Sequence, residues 1–379
     1  MRVHQLRKRR GEEGAVAVTV ALLATVLVGV AAFTVDLGGA YLAKRDTANA
    51  TDAASLAGAK ELGAYPGTCA TVVANTAATT AAQSSGDSYL ADNVTSATRT
   101  AFDVTCDATG KTIQVHYGAD ATVDRALGGV FGGTGKYTVN RDATAGVGVA
   151  TDVNGLRPYM LCFSDLPALQ TNPNVVQLDF PAAGCPVQPP VASGNWYTVD
   201  CPAPDDGNGT PVIAANTQKG CSVDIGIVPL SAAATTPTAI HDELVASCTA
   251  PKADPGCLTA NPGNLTSGQI PNAWDTLVDQ DILLPVFYPN TLAGSGNNTR
   301  YPVYNFAGVH VCGYHFGTNK TKVSTAAACQ GKTFTGSNNY NAVLLKLTNV
   351  ITSGSTKAST CTLGNAACDF GARTVRLIK

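Results

Sequence analysis

Twenty-one consecutive residues, Ala15 to Val35 (AVAVTVALLATVLVGVAAFTV), carry no charge. As an α-helix rising 1.5 Å per residue, this run is about 31 Å long, the thickness of a bilayer's hydrocarbon core. A buried core helix is a poor account of it, because so long a run behind a basic cluster is rare in a soluble interior. That cluster is Arg2, Arg7, Lys8, Arg9 and Arg10, with His4 among them, followed by Glu12 and Glu13. Beyond the run, Asp36, Lys44, Arg45 and Asp46 nearly cancel. Lys and Arg near the ends of a span set its orientation, so the N-terminus is expected in the cytoplasm and the bulk of the chain outside. Val30-Ala31-Ala32 also fits the small-residue cleavage site of a signal peptide. The run exceeds the usual 7–15 residue apolar region of such peptides, so a retained single-pass span is the preferred reading. Both readings export the bulk.

Export changes how the cysteines are read. The chain has 12 of them, an even number, which in an oxidising compartment points to disulfides rather than metal. Cys69 and Cys106 lie in the first 150 residues, six more lie between 162 and 257, and Cys312, Cys329, Cys361 and Cys368 lie near the end. We expect the pairs Cys69–Cys106 and Cys361–Cys368; six cysteines alone allow 15 connectivities, so the others stay open. Charged residues are 14% of the chain and the formal charge is −2, which gives no footprint for nucleic acid.

Past the span, residues 36–62 remain helical: they are rich in Ala and contain no Pro. Ala50, Ala54 and Gly58 fall on one face at i, i+4, i+8, a spacing that allows another helix close approach. That face either packs on the chain's own domain or meets a partner. Gly63 and Pro66 end the helix. A short helix is expected over 71–83. Alternation at Phe102, Val104, Cys106 and at Ile113, Val115, Tyr117, around Asp107–Gly110, predicts a hairpin. Asp124 to Phe131 reads as one or two helical turns, and Tyr137 to Val149 as a further strand.

Only Pro66 precedes residue 158, whereas 19 prolines occupy 158–302 and none follows. The middle should therefore resist long helices and central strands. Its clearest strand signal is Ser222 to Val228; in Asp281 to Tyr288, Pro285 marks an edge or bulge. Val303 to Phe316 is the longest β run, followed by 342–351 and a basic final strand over 374–378. The expected organisation is a basic N-terminus (1–14), a span continuing as a long helix (15–62), a small α+β domain (63–150) and a β-rich extracytoplasmic part (151–379). The fold class is α+β, with a disulfide-bonded, loop-rich C-terminal half.

The N-terminal stretch resembles the TadG-like proteins of tight-adherence (Flp) pilus assembly, especially actinobacterial ones. The resemblance is carried by RRGEEGAVAV, by AAFTVDLGGAYLAKR with Asp36, Gly38 and Tyr41, and by DTANATDAASLAGAKEL with Asp52-Ala53-Ala54 and Leu56-Ala57-Gly58-Ala59. It implies a pilin-like membrane protein, without catalysis or cofactor, that meets other pilus-assembly proteins or pilins through its N-terminal helix. The helix-packing candidates are Asp36, Tyr41, Ala50, Ala54 and Gly58. Prepilin processing, which wants Glu at the fifth mature position, is not carried over: Val16 follows Gly11 by five and Thr19 follows Gly14 by five. Nor is the metal site of relatives with a von Willebrand A domain, because D-x-S-x-S is missing from the sequence. A membrane-tethered or secreted disulfide-rich adhesin is the alternative.

Other motifs fall short. Gly128 to Lys136 fails the phosphate-loop pattern, with Val130 in place of the first Gly and Tyr137 in place of Ser/Thr. Asp205-Asp206-Gly207-Asn208-Gly209 lacks the Gly and Glu of a calcium loop and reads as a turn. On a regular strand, His310 and Cys312 face one way and His315 the other, so the three do not converge on zinc.

Overall fold

Helix α1 (Arg10–Ala64) is unbroken over 55 residues and is the axis of the molecule. The computed structural model describes residues 10–125, 135–171, 175–180, 198–207, 209–249, 256–261, 265–291, 299–318, 320–336, 340–352 and 360–378. The basic residues 2–9, most of the glycine-rich stretch 128–136, the end of the helical turn expected over 124–131, and Asn208 lie outside the described residues.

After α1 come α2 (Cys69–Val73) and α3 (Thr76–Asn93). The expected 71–83 helix is thus two helices, because Asn75 caps a new start: its Oδ1 accepts the Ala78 N–H at 3.2 Å. Strand β1 (Ala97–Cys106) turns into β2 (Ile113–Asp124) through an Asx-type turn, in which Asp107 accepts the Thr112 N–H at 3.1 Å and Gly110 takes φ +69°. Strand β2 runs on through Asp124, where helical turns were expected to begin, because its pairing with β3 (Lys136–Val149) holds to its last residue.

The second half begins with β4 (Asp152–Val153), β5 (Leu161–Cys162), α4 (Leu166–Thr171) and β6 (Val176–Phe180). It continues through α5 (Thr210–Lys219), β7 (Ile225–Gly226), α6 (Pro237–Cys248), β8 (Cys257–Thr259) and α7 (Gln269–Asp275). The proline-rich middle therefore builds more helix than its composition suggests. Pro211 and Pro237 stand in the first turn of α5 and α6, where a missing N–H costs nothing and the fixed φ suits the helix. Conversely, the strand expected over 222–228 shrinks to β7, since only Asp152 and Val153 pair with it.

Last come β9 (Asp281–Phe287), β10 (Arg300–Phe316), β11 (Lys320–Val323), β12 (Asn341–Leu347), β13 (Val350–Thr352) and β14 (Ala372–Ile378). The main sheet of this half has the order β5-β9-β10-β12-β6, with β8 and β11 flanking β10. Pro285 fits because β5 covers only Val286 and Phe287 of β9. The Leu283 carbonyl points to that outer edge, accepting the Arg157 N–H at 2.9 Å, so residue 285 presents its missing N–H there as well. Behind the sheet a core gathers around Trp274, Tyr159, Phe306 and Phe287, all at most 2% exposed.

The other sheet has the order β1-β2-β3-β14-β13 and takes strands from both ends of the chain. Its inner face (Ile113, Val115, Tyr117, Ala119, Ala121) is buried under α1 and α3; its outer face carries Asp103, His116, Asn140 and Asp142. One alternating pattern thus yields one wet and one dry face. The two sheets meet where Gly308 of β10 donates to the Phe370 carbonyl at 2.9 Å, just before β14, beside a bridge between Ala307 and Gly371.

Candidate functional site

The sequence concentrates its signal in α1, and the structure divides that helix into two parts. From Thr47 to Leu62 one face is fully covered: Thr47, Ala50, Thr51, Ala54, Ser55, Ala59 and Leu62 are each 0% exposed. Small residues make this possible. A Cβ added to Gly58 would lie 3.2 Å from the Ala82 carbonyl oxygen and 3.3 Å from Val115 Cγ1. Opposite, a Cβ on Gly86 would come within 2.8 Å of the Tyr117 ring and 3.1 Å of the Ala54 carbonyl oxygen. Helices α1 and α3 thus approach backbone to backbone over Ala54, Gly58, Ala82 and Gly86. The face carrying Ala50, Ala54 and Gly58 is spent inside the chain.

Three hydroxyls on this face were not singled out by the sequence reading. Thr47 donates to the Ala43 carbonyl at 2.7 Å, Thr51 to the Thr47 carbonyl at 2.8 Å and Ser55 to the Asp52 carbonyl at 2.9 Å. Each is satisfied within the helix, so a small polar side chain is buried with its hydrogen bond made. Their i, i+4 spacing alongside the alanines was the available signal.

Replacing Gly58 by leucine is expected to cost about 1–3 kcal/mol by overpacking. Alanine should come closer to neutral, since about 1 kcal/mol of helix propensity offsets the tight contact. At exposed Tyr41, alanine should change stability by less than about 0.5 kcal/mol. Urea unfolding of the three variants in detergent checks the ranking; a Gly58→Leu protein as stable as the parent contradicts the close packing.

Below Thr47 the helix comes into the open. Leu22, Leu27 and Phe33 are 65–68% exposed, and Tyr41 is 69% exposed. The segment is long and apolar enough to cross a membrane. At its upper boundary Asp36 offers its carbonyl to the Tyr137 hydroxyl at 3.5 Å. The candidates separate accordingly: Ala50, Ala54 and Gly58 are interior, Asp36 stands at the boundary, and Tyr41 points away.

The C-terminal end of α1 is sealed from the far end of the chain. The Arg373 guanidinium, 2% exposed, donates to the Gly63 carbonyl at 3.2 Å and the Tyr65 carbonyl at 2.7 Å. Its other amino group donates to Asp369 Oδ2 at 2.9 Å. Asn349 donates to the Ala64 carbonyl at 3.1 Å. The Gly63 and Ala64 carbonyls belong to the last turn of α1 and have no partners within the helix, Tyr65 follows it directly, and a cation there also favours the helix dipole.

Five disulfides join described cysteines: Cys69–Cys106, Cys201–Cys221, Cys248–Cys257, Cys312–Cys329 and Cys361–Cys368. The first ties α2 to the end of β1, beside the α1 core.

The histidine strand departs from its expected geometry. Between Val311 and Gly313 a β-bulge shifts the register against β12, so that His310 pairs with Lys346 and His315 with Ala342. Residues 342 and 346 share a face, and the bulge therefore brings His310 and His315 to the same side. His310, Cys312 and Cys329 place their ligand atoms within 4.8 Å of one another. The two sulfurs are bonded to each other, however, which leaves no thiolate for a metal.

The acidic loop around Asp205 is stitched by Asn261, which is 1% exposed. Its amide donates to the Asp200 carboxylate and, at 2.9 Å, to the Gly207 carbonyl, while its oxygen accepts the Gly209 N–H at 3.1 Å. Burial pushes the Asp200 carboxyl from 3.8 up to about 6; the Asp206 charge adds to this, against the Asn261 hydrogen bond. A raised folded-state pKa means the folded form holds its proton longer than the unfolded chain does. Stability should therefore fall as pH rises from about 4 to about 6 and be flat in this respect above, and Asp200→Asn should remove that slope. Denaturation midpoints across the interval check it; equal slopes in parent and variant exclude Asp200 as the cause.

Among known proteins, residues 14–61 match the family described as putative Flp pilus-assembly TadE/G-like. No curated protein and no solved structure is significantly similar to the chain. The matched segment begins just before the uncharged run and ends at the last buried turn of α1. The likeness to the putative Flp pilus-assembly TadE/G-like family is therefore a likeness of α1 over residues 14–61.

Proposed function

We propose that this chain is a single-pass, membrane-anchored component of Flp pilus assembly, with its N-terminus in the cytoplasm, its folded body outside, and a structural rather than catalytic part in assembly. The observation that carries the reading is the coincidence of the family segment, residues 14–61, with a helix that is open in its lower half and locked into the body in its upper half. Five basic residues before the span and near neutrality after it favour a cytoplasmic N-terminus. The disulfides suit an oxidising compartment.

Other pilus-assembly proteins or pilins would meet the open part of α1. Within the span, Ala17, Ala21, Thr25 and Gly29 form a separate stripe of small residues at i, i+4 spacing. The decisive experiment is deletion of the gene, which is expected to reduce piliation; a deletion strain with normal pili and normal adherence overturns the reading. Protease accessibility in spheroplasts, read with intact mass, tests orientation and N-terminal cleavage together.

A further inference from the structure

The far end of the β2–β3 pair reaches the level at which α1 leaves its uncharged run. Tyr137 Oη lies 3.5 Å from the carbonyl of Asp36, the first charged residue after that run, and a Cβ on Gly39 would lie 3.6 Å from the same hydroxyl. The lengths explain the coincidence. Ile113, Val147 and Leu62 share one core at the upper end. From there the 12 residues of β2 extend about 40 Å at roughly 3.4 Å each, and the helix from Leu62 back to Asp36 covers about 39 Å. Burial goes one turn further: Ala32, inside the uncharged run, is 4% exposed, while its neighbours Val30 and Phe33 are 59% and 68% exposed. Beside Tyr137 stand Lys136 and Asp124, both well exposed and 3.6 Å apart, and then Arg125.

We propose that this end of the sheet, through Tyr137 with Lys136 and Arg125, rests in the lipid headgroup layer of the bilayer that α1 spans. The body is then held against the membrane at two places instead of swinging on one helix. Tyrosine suits that layer because its ring is apolar and its hydroxyl polar, and basic side chains meet lipid phosphates there. A lipid surface is favoured over a second protein because of the level alone: whatever medium surrounds the helix at Asp36 also surrounds the Tyr137 hydroxyl that touches it. The inference rests on the reading of α1 as a membrane span.

The test uses the full chain in phosphatidylcholine vesicles, with and without bromine on the acyl carbons nearest the headgroups. Tyr137→Trp, Phe33→Trp and Tyr65→Trp each add one emitter to the parent's two tryptophans. Lys136→Trp, at a side chain 68% exposed, gives a second probe of the sheet end that no core depends on. The expected result is loss of the added emission at 33, 136 and 137 and none at 65. Quenching at 33 with none at 136 and 137 overturns the proposal while leaving the span intact. No quenching at 33 removes the span and the proposal together. Equal quenching at 65 means that the whole body lies on the membrane, which also overturns a specific seat at Tyr137.

Discussion

Replacing Arg373 by methionine is expected to cost about 3–5 kcal/mol of folding stability, the scale for breaking a buried ion pair from one side. Two losses combine. Asp369, 2% exposed, would keep only its backbone donors, Gly364 N at 2.7 Å and Gly371 N at 3.1 Å, against a full charge. The Gly63 and Tyr65 carbonyls at the end of α1 would lose the guanidinium without gaining water. Adding Asp369→Asn should recover part of the loss, because removing both charges avoids an unpaired one. Urea unfolding in detergent, run as a double-mutant cycle, measures this. A single-variant loss under about 1 kcal/mol would show that water or relaxation replaces the clamp.

The second large effect is expected on removing the Cys69–Cys106 disulfide by a double alanine substitution. The bond closes a separation of 37 residues, for which loop-closure entropy gives about 4 kcal/mol, within a usual range of about 2–5. Cys69 is 2% exposed and packs with Val72, Ile113 and Val147, so truncating its side chain adds a packing loss. The loss should appear as easier release of α2 and the β1 edge, measurable by hydrogen exchange over 69–106, with the main sheet of the second half unaffected. Uniform loss of protection in both sheets would contradict that localisation.

Much of the architecture could be read from local signals. The uncharged run, the alternation at 102–106 and 113–117, and the small residues at 50, 54 and 58 each need only a few neighbouring positions to be recognised. Departures arise where one residue changes what its neighbours mean. Asn75 splits an expected helix in two, Pro211 and Pro237 start helices in a segment expected to resist them, and the bulge at Cys312 turns His315 to the side of His310.

The long apolar helix, the α+β class, the oxidised character of the second half and the family resemblance over about 50 N-terminal residues could all be read from the sequence. These follow from hydrophobicity, periodicity and residue type, which act over a few positions. Only the tertiary structure decided that β14 completes the sheet begun by β1, that Arg373 seals α1 across 310 positions, and that the Ala50–Gly58 face is consumed within the chain. Those outcomes depend on which distant surfaces bury each other, and no local pattern encodes the choice of partner.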